Sequence, residues 1–216
     1  MKQLFFILLI FSSIMSFAFD GEIKLSYTYF NGGDFKVEEV SWLFKKDQAK
    51  MTMNMRDANG KLLVTSFIPE KNSKALTIYS NTPSADGKNQ YFQVDISKIE
   101  DLKKAEYRTE KTTETKTILG YTCEKYMVYS QSTITEMWVA KSIDIPYGSY
   151  ASYFKTNAEI QGMALTGING FPLESTTKSL AGNIIFQYMA QSVSEKSVDV
   201  NQFNVPAGYT LTTTGH

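Results

Sequence analysis

Residues 116–141 read KTILGYTCEKYMVYSQSTITEMWVAK, and this stretch decides the fold. It parses as a strand end, a tight turn at Gly120, a second strand, a short Ser/Gln turn and a third strand. It is also chemically quiet, because a serine or cysteine nucleophile needs a base beside it and none stands here.

Upstream the same grammar repeats. Ile23, Leu25, Tyr27 and Tyr29 alternate with polar residues, the period of a half-buried strand. Asn31-Gly32-Gly33-Asp34 suits a hairpin reversal, and Val40, Trp42 and Phe44 alternate on the return. After a turn at Lys45-Lys46-Asp47-Gln48, Met51, Met53 and Met55 share one strand face. Asp57-Ala58-Asn59-Gly60 makes the next hairpin, and two short strands follow around residues 62–68 and 75–79. Ile96, Ile99 and Leu102 are three apart, which predicts a short helix. Residues 106–119 form a long Thr-rich strand on a solvent-facing part of the sheet.

Downstream, Ile145-Pro146 ends the third central strand. Tyr147, Tyr150, Ala151, Phe154 and Ala158 then fall at helical spacing, predicting a helix over 148–161 that covers the sheet. Strands follow over 171–178 and 184–193, and Phe203-Asn-Val-Pro-Ala-Gly-Tyr closes the domain. The expected architecture is mainly β: a strongly curved antiparallel sheet, or half-barrel, with a helical cover over its concave face.

Composition narrows the function. The chain has 216 residues, 43% hydrophobic and 20% charged, which suits one globular domain. Residues 1–18 read as a secretory signal peptide: Lys2, an apolar run over 4–14, and Ser16-Phe17-Ala18 as the cleavage site. The domain is then 19–216. The apolar run is shorter than the ~20 residues of a membrane-spanning helix, and no second long apolar run follows, so no span is expected after cleavage. The protein is expected to be periplasmic or secreted. Cys123 is the single cysteine and lies far from the cleavage site, so neither an internal disulfide nor direct lipid anchoring is expected. Basic and acidic residues number 22 each, so no charge field steers the protein to nucleic acid or anionic membranes.

The single histidine, His216, is the last residue, and a zinc site needs about four ligands. No calcium-loop spacing occurs. The expectation is a protein that is not an enzyme and carries no metal or cofactor. The Met51, Met53 and Met55 face beside Trp42 and Phe44 reads in two ways. It is ordinary core, or it lines an apolar cavity, since methionine suits surfaces that accept varied partners. Tyr150 and Phe154 of the expected helix complete that candidate ligand lining.

Four pieces occur in order: Ile118-x-Gly120-Tyr121-x-Cys123-x-Lys125-Tyr126, Glu136-x-Trp138-Val139, Gly170-Phe171-Pro172-Leu173-Glu174, and Phe203-x-Val205-Pro206-x-Gly208-Tyr209. Together they resemble the domain-of-unknown-function 4412 family of exported bacterial envelope proteins. That family is similar to the LolA/LolB/LppX-like lipoprotein-carrier superfamily of half-barrels. The resemblance implies a curved sheet covered by helices and carries over no catalytic residue. It points to a binding protein holding an acyl chain, lipid or lipoprotein tail in the hollow of the sheet. The alternative is a structural or interaction module with a packed core, no small ligand and an envelope protein as partner.

Overall fold

A computed structural model of the chain describes residues 19–30, 36–46, 48–70, 75–84, 86–98, 107–145 and 167–212. Alternating sequences become strands almost throughout: β1 (Gly21–Tyr29), β2 (Lys36–Lys45), β3 (Gln48–Arg56), β4 (Leu62–Glu70), β5 (Ala75–Ser80), β6 (Gln90–Asp95), β7 (Arg108–Ile118), β8 (Tyr121–Tyr129), β9 (Thr133–Ala140), β10 (Phe171–Ser179), β11 (Ile184–Ser194) and β12 (Thr210–Leu211). They form one 12-stranded sheet in the order β12-β6-β5-β4-β3-β2-β1-β11-β10-β9-β8-β7. Two meanders, β1 to β6 and β7 to β11, are joined where β1 pairs antiparallel with β11. Among the described strands only the short β12 pairs parallel, on β6.

The turn at Gly120 is built as expected. Leu119 and Gly120 both have positive φ, 49° and 87°, so the turn twists with the strands it joins. It sets Ile118 opposite Tyr121 and brings β7 to the sheet's edge. There the Thr-rich strand is largely exposed, with Lys and Glu side chains along it that discourage edge-to-edge aggregation.

The sheet curls tightly. Strand spacing is ~4.8 Å, so β2 and β10, with β1 and β11 between them, would stand about 14 Å apart if the sheet were flat. Yet the Phe44 and Phe171 rings meet edge to face at 6.0 Å. Trp42 stacks on Phe44 at 5.7 Å and 2°, and Phe19 meets Phe44 edge-on at 6.1 Å. Trp42, Phe44 and Phe171 are at most 2% exposed, so the aromatic residues fill the middle of the hollow themselves.

This packing corrects the expected helical cover. Among the described residues there is no α-helix, only 3₁₀ turns such as Ile96–Lys98 and Val200–Phe203. The curl brings side chains from opposite flanks into contact. Loop residues Ile143, Ile145 and Ile168 join the same core without forming a helix. Residues 148–161, expected to be that helix, lie outside the described residues, as do residues 31–34, expected to form a turn, and the expected helical residues Ile99 and Leu102. Ile96 is in the 3₁₀ turn and buried.

A segment does dock on the sheet, but on the convex face, as a 3₁₀ turn and loop leading into β12. Lys50, which points away from Met51 on the concave face, donates from Nζ to the Gln202 carbonyl at 3.1 Å. Lys45 Nζ donates to the Val198 carbonyl. Phe203 is buried, Tyr209 meets Tyr79 edge-on at 5.3 Å, and the Tyr209 hydroxyl donates to the Ser80 carbonyl at 3.2 Å. The closing Phe203…Tyr209 sequence is therefore a strap that ends as β12.

Candidate functional site

Register places one unbroken apolar row on the concave face. Val193, Ile23, Trp42, Met51, Phe67, Ile78 and Phe92 stand opposite one another across seven strands, from β11 to β6. Beside it run Ala190, Leu25, Val40 and Met53. Burial divides this surface. Ile23, Leu25, Val40 and Trp42 are at most 2% exposed, whereas Met51, Met53, Met55, Phe67, Ile78 and Phe92 are only half-buried. The apolar surface continues past the part that the aromatic core fills.

The residues singled out from sequence divide in the same way. Trp42 and Phe44 are stacked in the packed centre. Met51, Met53 and Met55 face Trp42, Val40 and Val37 across the β2–β3 ladder and pack against the core's margin. Tyr150 and Phe154 lie outside the described residues. Sequence reasoning missed Phe171, Phe19, Tyr27 and Tyr188 as members of this surface. Tyr27 stacks on Tyr188 at 5.0 Å and lies near-parallel to Tyr29 at 6.3 Å; Tyr29 in turn stacks on Phe186 at 5.8 Å. This ladder runs from the buried Tyr188 to Tyr29, which is 49% exposed at the rim. Period-two aromatics on β1 were a legible sign of it; its β11 half depends on long-range pairing.

Toward β7 the concave face turns polar. Tyr27, Tyr188, Ser175, Met137, Tyr126 and Lys111 form one row across the pairings. In the next row Thr135 and Thr177 are buried and share a hydroxyl–hydroxyl bond of 2.9 Å. Glu124 gathers Lys111 at 2.8 Å, Lys141 at 3.0 Å and the Tyr126 hydroxyl at 3.0 Å. Hydrogen bonds from Lys111, then Lys141, pull its carboxyl down to about 2.

The convex face carries a separate charged cluster. Lys116 Nζ binds Glu174 at 2.6 Å and lies 4.2 Å from the centre of the Trp138 ring. Lys125 bridges Glu114 and Glu136, and Trp138 Nε1 donates to Glu136 at 3.0 Å. Near it the Tyr121 hydroxyl donates to Glu195 at 2.5 Å; burial, then Glu195, pushes the phenol up to about 12. Cys123 is fully buried, and burial raises its thiol. Among the described residues nothing here pairs a nucleophile with a base. Among the described residues no cluster of His, Cys, Asp and Glu could hold a metal ion, and no helix is long and apolar enough to cross a membrane.

Residues 19–209 match the family model described as Domain of unknown function (DUF4412). Among curated proteins none matches the chain. Among solved structures the chain is similar to PNGF-II, with 14% identity and a TM-score of 0.46 over 90% of this chain and 31% of that one. It is similar to MucB in the Pseudomonas aeruginosa MucA/MucB complex, with 10% identity and a TM-score of 0.41 over 89% of this chain and 58% of that one. It is also similar to an uncharacterized conserved protein from Thermus thermophilus, with 7% identity and a TM-score of 0.40 over 91% of this chain and 93% of that one. The chain thus spans under a third of PNGF-II and little more than half of MucB.

Proposed function

The chain belongs to the DUF4412 family, and taking that membership with the geometry of the concave face we propose that it is a non-catalytic binding protein of the bacterial cell envelope. It holds an apolar ligand (an acyl chain, a lipid or a lipoprotein tail) against the concave face. The observation that carries this reading is the apolar row running from Ile23 and Trp42 to Met51, Phe67, Ile78 and Phe92, half-buried beyond the packed centre. Ligand sites are mostly apolar surfaces with few polar groups, and methionines re-pack around differing shapes. Met51, Met53 and Met55 are the contact residues in this reading, and Trp42 and Phe44 are the floor beneath them; Tyr150 and Phe154 remain candidates from sequence.

Titration with the apolar fluorophore N-phenyl-1-naphthylamine tests it, alongside mass spectrometry of lipids extracted from natively purified protein. Saturable uptake that Met53→Asp abolishes is the expected result, because a charge buried without a partner is costly. Wild type that takes up no fluorophore and carries no lipid overturns the reading.

A second reading is an interaction module for an envelope protein, with a packed hollow. It is favoured by the near-complete burial of Trp42, Phe44, Phe171 and Leu173. In either case the protein is exported by cleavage after Ala18. The Phe19 N–H faces the Asp144 carbonyl at 3.0 Å, a position that a new terminal ammonium also fills. N-terminal sequencing of exported protein that finds Met1 would remove this part.

A further inference from the structure

Ser175 is fully buried, and among the described residues its hydroxyl oxygen has no hydrogen-bond partner. Buried hydroxyls are nearly always satisfied, because a bond made to water before folding must be replaced. The neighbouring Thr135 and Thr177 obey this rule by bonding each other. Ser175 does not, and neither does Thr109 Oγ1, which stands two strands from Thr135 in that threonine row. Two unsatisfied hydroxyls thus occur in adjacent rows of one face.

Register puts Ser175 between Met137 and Tyr188. Met137 is unbranched and can shift to admit a ligand atom. Tyr188 leads along the aromatic ladder through Tyr27 to the exposed Tyr29. We propose that Ser175 is the polar anchor of the concave-face site and donates its hydroxyl to a neutral carbonyl, such as an ester or amide, at the head of a long apolar chain. This rests on the ligand-binding reading given above and narrows it to an amphiphile with an uncharged head.

Charge supports a neutral head. The cation in the Ser175 row, Lys111, is already engaged by Glu124 at 2.8 Å. Among the described residues of that row no free cation remains to pair a carboxylate at Ser175, and a buried unpaired charge is costly. Distance supports a long tail. From β10 to Met53 on β3 is four strand spacings, about 19 Å in a flat sheet and less in a curled one.

Two fluorescent probes separate the possibilities: methyl cis-parinarate, a neutral ester on a long chain, and N-phenyl-1-naphthylamine, which has no carbonyl. Their affinities are measured on wild type, Ser175→Ala and the near-isosteric weak donor Ser175→Cys. Ser175→Ala is expected to weaken the ester about tenfold, the scale of one hydrogen bond, and to leave the naphthylamine within about twofold. Ser175→Cys should fall between wild type and Ser175→Ala for the ester. Thermal melting of Ser175→Ala should not drop, since an unsatisfied hydroxyl is being removed. If both probes bind wild type and the variants change neither, or change both alike, the anchor is wrong while the apolar site stands. If neither probe binds wild type, the ligand-binding reading falls and takes the anchor with it.

Discussion

Trp42 and Phe171 meet edge to face with ring centroids 6.5 Å apart, although two strands lie between theirs in the sheet. The contact exists because the sheet curls, and it helps to hold that curl, since each ring covers apolar surface that a flat sheet would leave wet. Trp42→Ala should cost about 3–5 kcal/mol, the range for large aromatic truncations in a core. Phe171→Ala should cost a similar amount. A double-mutant cycle in urea denaturation should return a coupling of about 0.5–1.5 kcal/mol. Strict additivity would mean that the rings are neighbours without being partners.

Gly170 sits where the chain enters β10 with φ at 105°, and a Cβ there would lie 2.6 Å from the Ala140 carbonyl oxygen. Both the dihedral and the close backbone approach demand glycine. Gly170→Ala should destabilise by about 2–3 kcal/mol, measured by chemical denaturation. Gly120→Ala is the control, because φ is also positive there but nothing lies within 4 Å of the added carbon. It should cost clearly less than Gly170→Ala.

Glu124 supplies an acid-side pH dependence. Its carboxyl is lowered from 4.5 to about 2 by Lys111 and Lys141. The unfolded chain therefore takes up the proton first as pH falls. The stability that Glu124 contributes is complete above about 4.5 and is lost as pH drops through about 2. Melting temperature followed from pH 5 to pH 2 should fall less steeply in Glu124→Gln than in wild type, from a lower start at neutral pH. Parallel curves would show that the lysines do not hold the charged form.

Tyr121 acts at the other end of the scale. Its phenol is raised from 10.0 to about 12, first by burial and then by Glu195. The unfolded chain loses that proton first as pH rises. The contribution is whole below about 10 and disappears as pH climbs toward 12. Spectrophotometric titration of the tyrosines should show a late-ionising phenol. Tyr121→Phe should remove it, and Glu195→Gln should move it to lower pH.

Much of this fold was legible because its signals are local. The alternation of Val40, Trp42 and Phe44 needs only the two-residue period of a strand to predict that all three share a buried face. The turn at Gly120 needs only four residues. Met51, Met53 and Met55 share one face by the same period, since adjacent residues on a strand cannot share it. The charged, Thr-rich β7 announced its exposure by composition.

The tertiary structure decided what depends on partners far away in the chain. Pairing of β1 with β11 joins Ile23 to Val193 and completes the aromatic ladder, and no local pattern encodes that choice. The degree of curl also comes from the whole sheet's twist and packing. It let Trp42, Phe44 and Phe171 fill the hollow's centre where a helical cover had been expected. The strap from Val198 to β12 shows the same limit: its sequence reads as the close of the domain, and only the contact of Lys50 with Gln202 places it on the convex face. Ser175 is the sharpest case, for a serine between Glu174 and Thr176 on a strand looks like any surface residue. Its place between Met137 and Tyr188 arises from strands that are separate in the chain, and sequence order alone carries no record of that pairing.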